Sequence, residues 1–189
     1  LLPPMEDLTR NYPALGCARK ISESKVNTVT LSAWALSENV RWADYLKVDT
    51  QGSELEILKG GEALIRSARA LEIEVEFNPI YQGQPIYSDI DLYLRSLGFV
   101  LWKFTNLVHY SKHPELNQAQ GIDIVCFDEN YHNEQPLYGG QLFWANAHFI
   151  HRSVLEDSNP LQRQRDQRLF EILRMPDVLR DRSYHSGTD

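Results

Sequence analysis

The sequence predicts a doubly wound α/β sheet, mostly parallel, with an antiparallel edge strand and helices at its C-terminal end. Three observations carry this. Tyr45–Asp49, Ala70–Phe77 and Phe99–Phe104 are apolar, strand-like runs. The stretches between them have helical periodicity, and parallel strands joined by helices need right-handed crossovers. A fourth run, Ile122–Phe127, follows a polar stretch, His109–Gly121, that offers no connecting helix. The last two strands should therefore pair antiparallel.

Residues Leu1 to Ser24 should be irregular, because Pro3, Pro4, Pro13 and Gly16 break any pattern. Val26–Leu31 alternates and is β-branched, which reads as a short strand or extended lead-in. Ser32 should cap a short helix running to about Asn39. Tyr45–Asp49 is the first buried strand, and Gly52 marks the turn after it. Ser53 and Glu56 form the pattern S-x-x-E, a capping box, so a helix should start there. Leu55 and Leu58, then Leu64 and Ile65, face the sheet, and Gly60 and Gly61 interrupt the helix. On the second strand Leu71, Ile73, Val75 and Phe77 share one face, while Glu72, Glu74 and Glu76 share the other. Asn78-Pro79 ends it, and Gln82–Pro85 is a loop.

Ser88 and Asp91 open a further helix with Ile90, Tyr93, Leu94 and Leu97 on one side and Gly98 as its stop. Gly140 to about Leu155 reads as a helix. Asn159 to Arg180 reads as a charged amphipathic one, with Leu161, Leu169, Ile172 and Leu173 apolar. Ser183–Asp189 should fray. The chain divides into a lead-in (1–25), a sheet domain (26–130) and a helical extension (131–189).

A length of 189 residues bounds the chain to one domain, or one domain with a tail, and 42% hydrophobic residues suffice for a core. A net charge of −7 argues against a sequence-independent nucleic-acid binder. No run of eighteen apolar residues exists, so no membrane span or membrane partner is expected. The N-terminus lacks the pattern of a signal peptide, and starting at Leu1 it reads as a fragment or a processed start. Cys17 and Cys126 form no CxxC pair, which fits two free thiols in a cytoplasmic protein.

Asp49 ends a strand, and in open α/β sheets ligands bind at the carboxyl ends of strands. A carboxylate there can orient an acceptor or take its proton. The plainer alternative is that Asp49 caps the next turn through the Gln51 and Gly52 amides. Glu54 sits in the first helical turn, where a negative charge is favourable in any case. Three ionised carboxylates at Glu72, Glu74 and Glu76 would be costly to bury. They need an open face or partners such as Arg66 or Lys103. Glu76, nearest the strand's carboxyl end, is the functional candidate of the three. His148 and His151 are spaced i, i+3, but no third metal ligand is near, and His109, His113 and His132 form no ligand pattern. Phe143, Trp144 and Phe149 read as packing residues, and Gln162–Arg168 as a solvated helix face.

The run Leu46-Lys47-Val48-Asp49-Thr50-Gln51-Gly52-Ser53-Glu54-Leu55-Glu56-Ile57-Leu58-Lys59-Gly60 resembles the signature of the FkbM-type methyltransferase family. The likeness continues through Glu76–Pro85 and Asp91–Phe99, and Gly140–Ala147 resembles a stretch seen in some members. It covers roughly residues 26 to 150. The resemblance implies a class I, Rossmann-like fold and direct methyl transfer from S-adenosylmethionine to a hydroxyl oxygen of a small molecule or glycan. It places Asp49, Gln51 and Glu54 beside the cofactor and gives Asp49 and Glu76 catalytic roles. Acceptor contacts would come from Asn78–Tyr87 and Asn106–Gln120.

One part of the pattern is missing. None of the ten glycines is spaced G-x-G, and the room before Tyr45 is too short for three strand–helix units. The chain therefore reads as the C-terminal half of such a domain. The rival reading is a non-catalytic module that works only with a partner chain, or with a second copy, through an exposed sheet edge.

Overall fold

The computed structural model describes residues 2–112 and 140–179. In chain order these form α1 (Glu6–Asn11), a 3₁₀ turn (Pro13–Ala18), α2 (Leu31–Ser37), β1 (Tyr45–Val48), α3 (Glu54–Gly60), α4 (Glu62–Ile65) and β2 (Ala70–Glu76). Then come α5 (Tyr87–Ser96), β3 (Phe99–Tyr110), β4 (Gln141–His151), α6 (Arg152–Glu156), α7 (Pro160–Ile172) and a 3₁₀ turn (Pro176–Leu179). The protein is a mixed α/β fold around an open four-stranded sheet.

The strand order is β1-β2-β4-β3. β1 and β2 run parallel, joined through α3 and α4, whereas β4 lies antiparallel to both β2 and β3. Two expectations are corrected here. The antiparallel strand is internal, not at the edge. It is built from a segment that was expected to be a helix, 140–155. The reason is periodicity: Phe143, Ala145, Ala147 and Phe149 alternate, and all four are fully buried. Spacing of two fits a strand with a packed face, and no helical stripe can bury that set. The expected fourth strand, 122–127, lies outside the described residues, as does the 183–189 tail.

Helices α3, α4 and α5 cover one face of the sheet. Leu58, Ile65, Leu71, Ile73, Ile90, Leu94, Phe99 and Phe149 meet there with almost no exposure. Each such side chain stabilises the fold by about 1.5–3 kcal/mol relative to leaving it in water. On the opposite face the end of the sheet bearing Ala70, Val100 and Ile150 is covered by Phe170, Met175 and Val178. Phe170 is thus the anchor of α7, whereas Leu161 and Ile172, expected on its apolar side, are 75% and 79% exposed.

The 162–168 run is not uniformly solvated either. Asp166 is 1% exposed and accepts from Arg69 Nε at 2.9 Å and Nη2 at 2.5 Å. A third apolar cluster, Tyr12, Leu15, Ile80 and Phe143, fastens the N-terminal segment over the carboxyl end of β2. The segment 20–30 has no regular structure, so the expected strand there is absent. Thr30, not Ser32, caps α2 by accepting from the Ala33 amide at 3.1 Å.

Candidate active site

The turn after β1 is built on unusual backbone. Gln51 has φ of 59° and Gly52 of 106°, the second a conformation that side chains disfavour. Glu54 holds this turn. Its Oε1 accepts from the Thr50 amide at 2.7 Å and the Thr50 hydroxyl at 3.0 Å, and its Oε2 from the Gly52 amide at 2.9 Å. These bonds explain why a carboxylate only 1% exposed is tolerated. They also correct two expectations: Ser53 makes no side-chain cap, and the Gly52 amide goes to Glu54 instead of Asp49. Asp49 is left at the mouth of the sheet, with its side chain 39% exposed and its Oδ2 3.6 Å from Lys47 Nζ.

The three glutamates of β2 meet three different environments. Glu72 is fully partnered: it accepts from the Tyr45 hydroxyl at 2.7 Å and from Asn146 Nδ2 at 3.0 Å, with Lys47 Nζ at 3.2 Å. Burial alone would raise its pKa, but these donors outweigh burial and hold it below the ordinary value. Arg66, expected as a partner, pairs with Glu62 instead. Glu74 accepts from Gln51 Nε2 at 2.6 Å. Its pKa is pushed up to about 8, by burial first and then by the nearby Asp49 carboxylate. Glu76 is 1% exposed, and its Oε2 has no hydrogen-bond partner. Burial, followed by the negative charge of Glu54, pushes its pKa up to about 7. Satisfaction therefore falls along the strand toward its carboxyl end.

Glu74 and Glu76 line a cavity of about 170 Å³. Gln51, Tyr81, Tyr110 and Trp144 form its other polar and aromatic walls, and Leu15 and Ala18 of the N-terminal 3₁₀ turn close one side. Gln51 joins two of these walls, because its Oε1 accepts from the Tyr81 hydroxyl at 3.4 Å while its Nε2 reaches Glu74. Trp144 Nε1 donates to the Tyr110 hydroxyl at 3.0 Å, fixing the indole as a wall. The structure thus brings Asp49, Gln51 and Glu76 to one end of the sheet, and sets Glu54 beneath them as the brace of the turn.

His148 and His151 lie on a strand, not a helix, so their odd spacing sends them to opposite faces. His148 pairs with Thr105 Oγ1 at 2.8 Å, and His151 with Ser153 Oγ at 2.8 Å. Among the described residues no group of three or more His, Cys, Asp or Glu side chains could hold a metal ion. His113 and His132 lie outside the described residues, as does the acceptor loop beyond residue 112. Sequence reasoning held Gln84 and Tyr110 only within the broad acceptor segments, 78–87 and 106–120, and missed Trp144 and the N-terminal 3₁₀ turn. For Trp144 the signal was present, in the alternation of β4. For Gln84 no pattern could have revealed it, because its role depends on how a loop folds back.

The family described as the methyltransferase FkbM domain matches residues 7–101, half of the chain. The match holds Asp49, Gln51, Glu54, Glu76, Tyr81 and Gln84, and ends before β4. No curated protein and no solved structure matches the chain. Among the described residues no helix is long and apolar enough to cross a membrane.

Proposed function

The chain belongs to the FkbM methyltransferase domain family, and on that premise we propose that it takes part in S-adenosylmethionine-dependent methylation of a hydroxyl oxygen on a small molecule or glycan. The observation that carries the proposal is Glu76: a buried carboxylate with one unpartnered oxygen, in a cavity at the carboxyl end of β2, beside Asp49. Strand ends of this kind are where open α/β sheets bind ligands. The parallel β1–α3–α4–β2 unit supports a Rossmann-like reading of the sheet.

The residues fit one end of the cofactor. Glu74, Glu76 and Asp49 suit a cationic sulfonium and an acceptor hydroxyl. A volume of about 170 Å³ falls short of the roughly 300–1,000 Å³ of clefts for drug-sized ligands. With no G-x-G among its glycines, this chain is read as supplying the reacting end of the site. When bound, S-adenosylmethionine supplies an electrophilic methyl group.

The chain's own residues then have distinct tasks. Glu76 takes the acceptor's hydroxyl proton on its free Oε2, and a base poised close to neutrality suits that work. Asp49 orients the acceptor from the mouth of the sheet. Gln51 positions Tyr81 and Glu74 against the ligand, and Glu54 fixes the turn that carries Asp49 and Gln51. Trp144 and Tyr110 keep water away from the reacting atoms. Much of the rate would come from holding donor and acceptor in attack geometry.

The test is methyl transfer from isotopically labelled S-adenosylmethionine to a panel of hydroxyl acceptors, with cofactor binding followed by calorimetry. Glu76→Gln should lower kcat/KM by about 10²–10⁴-fold, the usual contribution of a general base. A Glu76→Gln variant that transfers methyl at the wild-type rate would overturn the assignment.

A further inference from the structure

We infer that Gln84 is the positioning residue of this site: it ties the acceptor loop, residues 78–85, to the Glu76 carboxylate and holds that carboxylate in place. The inference rests on the reading above only in calling Glu76 the proton acceptor. The tie itself is a property of this chain.

Gln84 is 6% exposed although it sits in a loop. Its Oε1 accepts from the Ile80 amide at 2.8 Å and the Tyr81 amide at 3.1 Å. Two backbone donors on one atom fix which end of the side-chain amide is oxygen, since a flipped amide would set a donor against two donors. Nε2 must therefore point the other way. It is buried and has no acceptor at hydrogen-bond distance. Glu76 Oε2 is buried and has no donor. A buried donor and a buried acceptor left over on neighbouring segments are complementary, and native structures seldom leave such groups unpaired.

The other side of the amide is confined too. A Cβ on Gly52 would lie 3.3 Å from Gln84 Nε2 and 3.4 Å from Tyr81 Cδ2. The β1–α3 turn thus packs closely against this amide.

The charges around Glu76 show what the tie controls. Glu54 from α3 and Asp49 from the end of β1 both favour its protonated form, and Glu74 on its own strand feels it as a neighbouring charge. Tyr81 from the loop feels the same negative charge. The side chain that opposes this pressure is Gln84, whose amide favours the ionised carboxylate. With the loop seated, the amide faces Glu76 and offsets part of the upward push on its pKa, which leaves the carboxyl close to neutrality at about 7. With the loop displaced, that donor is lost and Glu76 retains its own proton. Binding of an acceptor against loop 78–85 would then ready the base.

The first variant is Gln84→Glu. Its carboxyl oxygen keeps both bonds to the loop amides and replaces the donor that faces Glu76 by an oxygen that also brings negative charge, so a raised midpoint counts for the inference only where the uncharged Gln84→Met raises it too. We would follow the ¹³C carboxyl titration of Glu76 in the whole chain, without cofactor or acceptor, assigned by its loss in Glu76→Gln. The expected result is a midpoint raised by about one pH unit or more, the scale of a lost hydrogen bond to a charged group. Exchange of the Ile80 and Tyr81 amides should stay slow.

Gln84→Met is the second variant. It should raise the midpoint and also speed exchange of those two amides. If the Glu76 midpoint is unchanged in Gln84→Met, or in a folded Gln84→Glu, Gln84 is a loop anchor alone and the inference is wrong. Because this titration needs no turnover, it stands or falls separately from methyl transfer.

Discussion

Glu76→Gln should make the protein more tolerant of alkaline pH, and the size of the effect follows from the structure. The ordinary carboxyl value is 4.5, and in the folded protein Glu76 is pushed up to about 7, chiefly by burial. Each unit of difference between folded and unfolded states is worth about 1.36 kcal/mol, so the full effect is about 3 kcal/mol. The sign is set by which state holds the proton. Below the unfolded value both states are protonated and Glu76 costs nothing. Between there and about 7 the unfolded chain releases its proton while the folded chain keeps it, so stability falls as pH rises. Above that the whole cost is present.

Other groups also titrate in this range. Glu74, pushed up to about 8, acts in the same direction, while His148 and His151, lowered chiefly by burial, act in the opposite one. The comparison with Glu76→Gln cancels most of these shared contributions. Urea unfolding of both proteins should be run at pH 5 and pH 8. From the lower to the higher pH, the variant should gain about 2–3 kcal/mol on the wild type. Parallel stability curves across that interval, or a wild type that gains on the variant, would refute the claim that burial holds the Glu76 pKa well above its ordinary value.

Two further outcomes test the surroundings. Asp166→Ala leaves the Arg69 guanidinium, 12% exposed, without its bidentate partner. It should cost about 3–5 kcal/mol, read as a fall in Tm, while the paired change Arg69→Met with Asp166→Leu should recover most of the loss. Asp49→Asn removes a carboxylate that helps raise Glu74, so the Glu74 midpoint should drop from about 8 in a ¹³C titration. It should remain above the ordinary value, because burial is the larger cause.

The strands and helices with a single clear period were legible in the sequence. β1, β2 and α5 follow from short apolar runs, alternation and a glycine stop, and Leu58, Ile65, Ile73 and Ile90 are as buried as their positions require. The failures have physical causes. Residues Gln141–His151 contain apolar, polar and aromatic groups without a glycine or proline, and length alone favoured a helix over the alternation that β4 obeys. The S-x-x-E pattern at Ser53 and Glu56 was a genuine capping signature, but Glu54, one residue on, reaches back to two amides of the preceding turn and supplants it. Asp49 and Glu76 were legible as site candidates because strand ends are privileged positions. Their partners were not, since Tyr110, Trp144 and the 3₁₀ turn come from segments far away in the chain.

That distance bears on how the site is assembled. Glu72, Glu74 and Glu76 repeat one residue type on one face of one strand, yet their neighbours divide them. β4 supplies Asn146 to Glu72 and sets Trp144 opposite Glu76, and it also separates β2 from β3. The family match stops at residue 101, so it omits this strand. A carboxylate face on β2 without β4 would meet water, and Glu74 and Glu76 would then return toward ordinary values, because burial is the first cause of both shifts. The weakened acidity of these two carboxyls therefore depends on β4, which lies beyond the family segment, closing over a face that the segment's own 3₁₀ turn covers from the other side. A chain cut after residue 101 would keep every matched carboxylate and lose the environment that makes two of them able to hold a proton near neutral pH.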